Sequence, residues 1–279
     1  MKGAVRTVFL LSIESPSSDS RLLVGNIVMN VSSNTSRVGT TAVITGGGRG
    51  FGKAFGAALA REGTTVTLID LDGAAAETAA TEIGSLAWGC AGDVTDEARM
   101  SAIFSEVAAA NGGIDILINN AGLHSQEYSR PVAEMGVAKT RRLFEVNVIG
   151  TVVCTLAAQP HMAGRKGASI VNISSSAAFG GGGYGTSKLA VIGLTMTFAR
   201  ELAADGIRVN AIAPGVILTN TIRDEMAPET LSRIKSMQYL STEGEEQDIV
   251  DAMLFLTSPK AKFITGETVR VTGGYAAGI

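Results

Sequence analysis

The sequence predicts an α/β fold in which a doubly wound parallel sheet of seven strands is covered by helices on both faces. Three observations carry that prediction. From residue 40 onward, short runs rich in β-branched residues alternate with longer helical stretches. The strands read as nearly continuous apolar runs, the pattern of strands buried on both faces. Glycine is abundant at 34 residues while only 5% of residues are aromatic, a balance that frequent tight strand-to-helix turns produce.

TTAVIT (40–45) is the first strand, and KAFGAALAREG (53–63) is the helix that follows it. TTVTLID (64–70) is the second strand and LDGAAAETAATEIG (71–84) the second helix. SLAWGCAGD (85–93) contains the third strand, with Trp88 expected to pack inside the structure. Residues 95–113 form an amphipathic helix in which Thr95 is the expected N-cap. IDILINN (114–120) is the fourth strand, and one helix is expected over 137–162. ASIVNISS (168–175), the helix 184–206, IRVNAIAP (207–214), the helix 248–258 and TVRVTGG (268–274) complete the alternation. No linker interrupts residues 39–279, so they are expected to form one domain. Residues 1–38 are expected to be a disordered, serine-rich tail, or an extension ahead of a true start at Met29.

Charge and composition exclude several function classes. A net charge of −3 gives no electrostatic case for nucleic acid or an anionic membrane surface. No apolar run reaches the ~18 residues that cross a bilayer. The two cysteines, Cys90 and Cys154, lack metal-ligand spacing and are expected as buried apolar residues in a reducing, cytoplasmic setting. Only His124 and His161 are available for a zinc site or a histidine-based triad, so no metal is expected.

The first strand runs into TGGGRGFG (45–52), and a helix follows. Glycines at a strand-to-helix turn let the backbone approach a pyrophosphate closely, and the free N–H groups of the helix start favour its negative charge. The spacing T-G-x-x-x-G-x-G makes Thr45, Gly46, Gly50 and Gly52 a candidate cradle, with Arg49 and Phe51 inside the same loop; a glycine-rich turn with no ligand is the plainer reading. Asp70 ends the second strand. An acidic residue there accepts the adenosine ribose hydroxyls and repels a 2′-phosphate, which favours NAD over NADP. Arg49 can meet a phosphate and keeps NADP as the lesser option. A solvated charge capping the next helix is the plainer reading of Asp70.

Further along, FGGGGYGTSK (179–188) places Tyr184 and Lys188 on one helical face, four residues apart. A phenol near its ordinary pKa of about 10 is a poor base at neutral pH, and a nearby ammonium favours the phenolate. Such a pair suits proton exchange with an alcohol or carbonyl oxygen. The strand before it ends in Ser174, Ser175 and Ser176, any of which can hydrogen-bond the same oxygen or merely serve a turn.

Taken in order, TGGGRGFG, Asp70, GDV (92–94), NNAG (119–122), VNVIGT with Asn147, VNISS, YGTSK and APGVILT (213–219) resemble the short-chain dehydrogenase/reductase family, in its compact single-domain branch, over residues 40–276. The resemblance implies a Rossmann-type fold and hydride transfer between NAD(H) and a secondary alcohol or ketone. It implies that Asp93 and Val94 flank the adenine and that Asn120, Ala121 and Gly122 line the cofactor. Ser175, with Ser176 as the alternative, would orient the substrate oxygen. Tyr184 would be the general acid–base, with Lys188 lowering its pKa and binding the nicotinamide ribose. Asn147 would hold a water of the proton relay. Pro214, Gly215 and Ile217 would pack near the nicotinamide, with Thr219 bonding its carboxamide or a phosphate. A small-molecule alcohol or ketone is the implied partner, and a homotetramer or homodimer the implied assembly, built through the helices 137–162 and 184–206. Residues 220–245 would form a lid, with Met226, Ile234, Met237 and Tyr239 as a possible apolar lining.

One spacing departs from the family. Ser175 and Tyr184 are closer together than its usual serine and tyrosine. The four glycines at 180–183 are expected to let this short connection turn back without side-chain clashes. An NADPH-dependent 3-oxoacyl-thioester reductase and a non-catalytic dinucleotide sensor are the alternative functions. The pairing of Ser175, Tyr184 and Lys188 argues against the second, and against a methyltransferase.

Overall fold

The structure, a computed structural model, describes residues 37–124, 126–217 and 228–275. Met29 and the rest of the expected tail up to residue 36 lie outside the described residues, as do Thr219 and Met226. Arg37 donates to the Glu62 carboxylate and to the carbonyls of Leu254 and Thr257.

Strands β1 (Thr41–Thr45), β2 (Thr65–Asp70), β3 (Ala87–Ala91), β4 (Ile116–Asn119), β5 (Ser169–Ile173), β6 (Arg208–Pro214) and β7 (Thr268–Val271) form one sheet in the order β3-β2-β1-β4-β5-β6-β7. Every pair in it is parallel. The helices are α1 (Gly50–Arg61), α2 (Gly73–Ile83), α3 (Glu97–Asn111), α4 (Val132–Phe144), α5 (Gly150–Met162), α6 (Gly182–Glu201), α7 (Pro228–Ser236) and α8 (Glu246–Leu256). Successive strand residues face opposite sides of the sheet. Val43, Leu117, Ile170 and Val209 enter a core closed by α3, α5 and α6. Ala42, Ile44, Ile118, Val171 and Ile212 enter a second core closed by α1, α2 and α8. Both faces are thus covered, as continuous apolar strands require. The chain builds outward from β1 to β3 and then returns to the other side of β1. That reversal opens a crevice at the carboxyl ends of β1 and β4, where ligands of such sheets bind.

Several local expectations are corrected. Asp96, not Thr95, caps α3, accepting from the Arg99 N–H at 3.0 Å, while Thr95 turns back and donates to Asp93. Trp88 is 72% exposed. β3 is an edge strand, and a Cβ at its neighbour Gly89 would stand 2.2 Å from the Ala76 carbonyl oxygen, so that face is pressed on α2. Trp88 therefore points the other way, where Cys90 reaches the core only in part. Cys154 is fully buried as expected, and burial pushes its thiol up to about 12.

The helix expected over 137–162 is three pieces. α4 begins at Val132 and is broken by a non-helical Gly136 at φ 70°. A π turn, Glu145–Ile149, then joins it to α5. Within Val132–Met162 an 18-residue window reaches a mean hydropathy of 1.3, apolar because it packs in the core. Cys154, Ala158 and Met162 of that stretch are buried in the core beside α3 and α6.

Candidate active site

The site grows from the carboxyl ends of β1, β2, β4 and β5. At the end of β1 the glycine loop needs its glycines for distinct reasons. Gly46 sits at φ +63°, and a Cβ there would lie 2.9 Å from the Ala121 Cα. A Cβ on Gly52 would lie 2.1 Å from the Gly46 carbonyl oxygen, which the backbone cannot yield. α1 starts at Gly50 with no side chain capping it and no acidic residue in its first turn. Its orphan N–H groups therefore present positive partial charge to the crevice. Arg49, just before α1, is exposed, and Phe51 stacks on Phe55 at 6.1 Å between ring centroids.

Asp70 faces this loop. Its Oδ2 accepts the Gly48 N–H at 3.0 Å and its Oδ1 the Asp72 N–H at 3.1 Å. The N-cap of α2 is Asp72, which accepts from Ala75, so Asp70 is not the capping charge. Thr45, to which sequence reasoning gave no role, binds the loops together: its Oγ1 accepts the N–H groups of both Asn120 and Ala121 at 3.1 Å. The Asn120 amide in turn donates to the carbonyls of Thr45 and Gly46. Its side chain thus braces the glycine loop. Asp93 accepts from the Thr95 N–H and hydroxyl and stands 3.7 Å from Arg142. Partial burial, which raises its pKa, is outweighed by these partners, and the carboxyl sits below its ordinary value. Val94 is buried, its side chain packed where a Cβ on Gly150 would stand 2.6 Å away.

A buried cluster joins β4 to the π turn and α6. The Asn147 Oδ1 accepts the Leu123 N–H at 2.7 Å, and its Nδ2 donates to the Leu123 carbonyl and to Ser187 Oγ, each at 3.1 Å. A π turn, rare and frequent at functional sites, presents this side chain. A Cβ on Gly122 would lie 3.2 Å from Asn147 Oδ1 and 3.3 Å from Lys188 Nζ, so the three residues converge and only glycine leaves that approach open.

Ser174, Ser175 and Ser176 separate clearly. Ser174 is buried and donates to the Lys188 carbonyl at 2.8 Å, and Ser176 is buried. Ser175 is half-exposed, caps a 3-10 turn, Ser176–Phe179, and hydrogen-bonds the Tyr184 side chain. Lys188 is buried at 5% exposure, and its Nζ donates to the Ile173 carbonyl at 2.8 Å. Burial pulls its pKa down to about 8. The Tyr184 phenol is pushed above its ordinary value by burial, with the hydrogen bond to Ser175 opposing. That corrects the expected direction: desolvation outweighs any help to the phenolate.

The glycine run has two uses. Gly181 and Gly182 take φ +81° and +80°, which L side chains rarely adopt, and turn the chain from the 3-10 turn into α6. Gly183 meets Met135 of α4, whose Sδ would stand 3.0 Å from a Cβ there. A Cβ on Gly185 would lie 2.3 Å from the Ala177 carbonyl oxygen, so the start of α6 lies directly against the 3-10 turn.

On the far side, Pro214 ends β6, and Gly215 donates to Val271, with its Cα side only 2.9 Å from Thr272 for any added Cβ. Ile217 is buried and bridges Gly244. Tyr239 and Leu240 both donate to the Gly273 carbonyl, at 2.8 and 2.9 Å, which ties the end of the expected lid to the turn after β7. Met237 and Tyr239 are exposed, and so is His124. Among the described residues, no group of three His, Cys, Asp or Glu side chains is placed to hold a metal ion.

The residues fit a dinucleotide. Glycines at 46 and 52 let the loop close on its own backbone and on Ala121, a Cβ on Gly50 would meet nothing within 4 Å, an uncapped helix start opens there, and a carboxylate stands at the end of β2. Residues 46–276 match the family described as enoyl-(acyl carrier protein) reductase. The chain is 37% identical to a protein named inactive 2-(S)-hydroxypropyl-CoM dehydrogenase 2 from Xanthobacter autotrophicus, over 79% of this chain and 98% of that one. It is 37% identical to a sorbitol dehydrogenase from Cereibacter sphaeroides, over 85% and 97%. It is 35% identical to the 3-oxoacyl-[acyl-carrier-protein] reductase FabG of Staphylococcus aureus, over 84% and 97%. Matched by the family model over residues 46–276 and by these relatives at 35–37% identity over most of its length, the chain belongs to the short-chain dehydrogenase/reductase family.

Proposed function

We propose that this enzyme uses NAD(H) to interconvert a secondary alcohol and its ketone, with Tyr184 as the general acid–base. That it is an oxidoreductase of CH–OH groups and takes a nicotinamide dinucleotide follows from its family. The observation that carries the finer reading is the meeting of Ser175, Tyr184 and Lys188 at the carboxyl end of β5, beside Gly122 and Asn147.

When bound, the cofactor supplies or accepts the hydride. The chain does the rest. Gly46, Gly50 and Gly52 with the start of α1 hold the pyrophosphate, Asp70 takes the ribose hydroxyls, and Asp93 and Val94 bound the adenine. Ala121 and Gly122 line the crevice, braced by Asn120. Pro214, Gly215 and Ile217 form the far wall. Ser175 orients the substrate oxygen, and Tyr184 gives or takes the proton there. Lys188, held by the Ile173 carbonyl, carries charge beside the phenol and reaches the ribose. Asn147 fixes Leu123 and Ser187, and through them the floor on which a relayed proton leaves.

Asp70 supports NAD over NADP, because its carboxylate is pinned toward the loop by Gly48. One observation favours a second reading, an NADPH-dependent reductase of 3-oxoacyl thioesters: the similarity to the S. aureus reductase of that name. Asp70 speaks against it. Exposed Ile149 and Leu156 on the π turn and α5, and Leu189 and Met196 on α6, support a homodimer or homotetramer built through these helices. Two free cysteines suit a cytoplasmic enzyme. The test is a panel of sorbitol, simple secondary alcohols and a 3-oxoacyl thioester, each assayed with NAD(H) and with NADP(H). Turnover of an alcohol with NAD is the expected result. Turnover of the thioester alone, with NADPH, would establish the second reading instead.

A further inference from the structure

The connection from Ser175 to Tyr184 contains Ser176, Ala177, Ala178, Phe179 and then four glycines. Its only large side chain is Phe179. The glycines permit the turn into α6, but glycine supplies no side chain to hold that turn in place. What holds the loop is short-range: Ala178 and Gly180 donate to the carbonyls of Ser175 and Ala177, and Ala177 donates to Ser175 Oγ. These bonds shape the loop without tying it to the sheet. A side-chain tie comes from β7. Arg270, in register with Ala213 of β6, sets its guanidinium carbon 4.9 Å from the centroid of the Phe179 ring. That is the range of a cation–π contact.

We propose that Arg270 is a positioning residue: stacked on Phe179, it anchors the shortened loop to β7 and so fixes Ser175 against Tyr184. The proposal rests on the reading of those two residues as the proton-handling pair. Sequence spacing alone shows why this chain needs such an anchor, since a longer connection has more side chains with which to pack. The contact is distant from the glycine loop at β1, so its loss should act on the reacting geometry before it acts on dinucleotide binding.

The experiment is a double-mutant cycle with Arg270→Met and Phe179→Leu, with Arg270→Lys and Phe179→Tyr as conservative controls. Turnover is measured on the secondary alcohol of the panel with the highest kcat/KM, NADH binding by its fluorescence, and loop order by hydrogen exchange of residues 176–183. Each disrupting variant should lower kcat and speed exchange in the loop, with the NADH Kd unchanged. The two should couple by about two- to five-fold in kcat, as an exposed cation–π pair does, so that the double variant is slowed by the product of the two single effects divided by that factor. The cycle cancels whatever else either side chain touches. Phe179→Tyr keeps a ring and Arg270→Lys keeps a cation, so both should retain most of the turnover. Effects that simply multiply, faster exchange with unchanged kcat, or a loss of NADH binding in step with kcat would each overturn the proposal. If Phe179→Leu fails to fold, Arg270→Met and Arg270→Lys alone decide it by the same split. Tyr184→Phe is assayed beside them. Retained turnover there would undo the acid–base reading, while loop exchange in Arg270→Met reports on the anchor either way.

Discussion

Lys188 Nζ lies 5.9 Å from the centroid of the Tyr184 ring and donates to the carbonyl of Ile173, the last residue of β5. The pair is therefore held by the sheet and not by the helix alone. A lysine one helical turn after a tyrosine usually swings in solvent. Here its ammonium end is fixed over the carboxyl end of β5, the strand that leads into Ser175.

If the phenol moves the proton and other elements hold the dinucleotide, as proposed, Tyr184→Phe is expected to lower kcat by ~10²-fold or more while NADH still binds. Stopped-flow turnover together with NADH fluorescence titration checks this. A variant keeping a tenth of wild-type kcat would remove Tyr184 from its role.

Burial pulls the Lys188 pKa from its ordinary 10.5 down to about 8, and this makes stability depend on pH in a definite direction. Below pH 8 folded and unfolded chains both hold the proton, and the folded state bears the whole cost of the buried charge. Between pH 8 and 10.5 the unfolded chain binds more protons, so this group lets stability rise with pH. Lys188→Met cannot show that rise. From urea unfolding at pH 7.5 and pH 10, wild type should gain on the variant by roughly 2 kcal/mol. A stability difference that stays constant between the two pH values would mean that Lys188 is solvated in the folded protein.

The parts of this molecule that were legible in the sequence are those in which one residue type answers one local demand. Continuous apolar strands, glycines at 46 and 52, and a tyrosine and lysine four apart all read directly. What failed to read depends on partners distant in sequence. Trp88 looked like a packing residue, but its exposure follows from β3 being an edge strand with Gly89 turned to α2. Thr95 failed for a local reason instead: Asp93, two residues earlier, captures its hydroxyl and leaves Asp96 to cap α3. The rise in the Tyr184 pKa was hidden as well, since desolvation depends on everything that packs around the phenol and not on the lysine beside it. Ser175 and Ser176 could not be separated until the 3-10 turn showed which one is buried.

Two neighbouring glycines before Tyr184 should respond in opposite ways to alanine. Gly180 has φ −103°, and the nearest atom to an added Cβ is 3.8 Å away. Gly180→Ala should leave turnover intact and be neutral or stabilising by ~0.4–1 kcal/mol, through a less flexible unfolded chain. Gly181 has φ +81° with nothing within 4 Å, so the added Cβ is strained by the backbone alone. Gly181→Ala should cost about 1–2 kcal/mol and slow turnover, because the strain falls between Ser175 and Tyr184. Thermal unfolding and kcat for both variants check it. Equal behaviour of the two would mean that the run is simply flexible and that left-handed backbone is not required there.

Cofactor choice is expected to turn on Asp70. Its carboxylate is oriented by the Gly48 N–H on one oxygen and the Asp72 N–H on the other, at the end of β2 beside the glycine loop. A ribose hydroxyl placed there gains a charge-assisted hydrogen bond, and a 2′-phosphate meets a like charge. Arg49 pulls the other way, since a guanidinium binds phosphate bidentately. Arg49 is exposed, however, whereas Asp70 is pinned, so Asp70 should prevail. Discrimination is a difference of affinities, and removing the repulsive element matters as much as losing the attraction. Wild type is expected to prefer NAD by at least ~10-fold in kcat/KM, about 1.4 kcal/mol. Asp70→Ser should narrow or reverse that preference, and Arg49→Ala should widen it. Steady-state kinetics with both cofactors on the three proteins is the measurement. Equal use of NADP by wild type, or an unchanged ratio in Asp70→Ser, would mean that other residues read the ribose and that Asp70 serves only to hold Gly48.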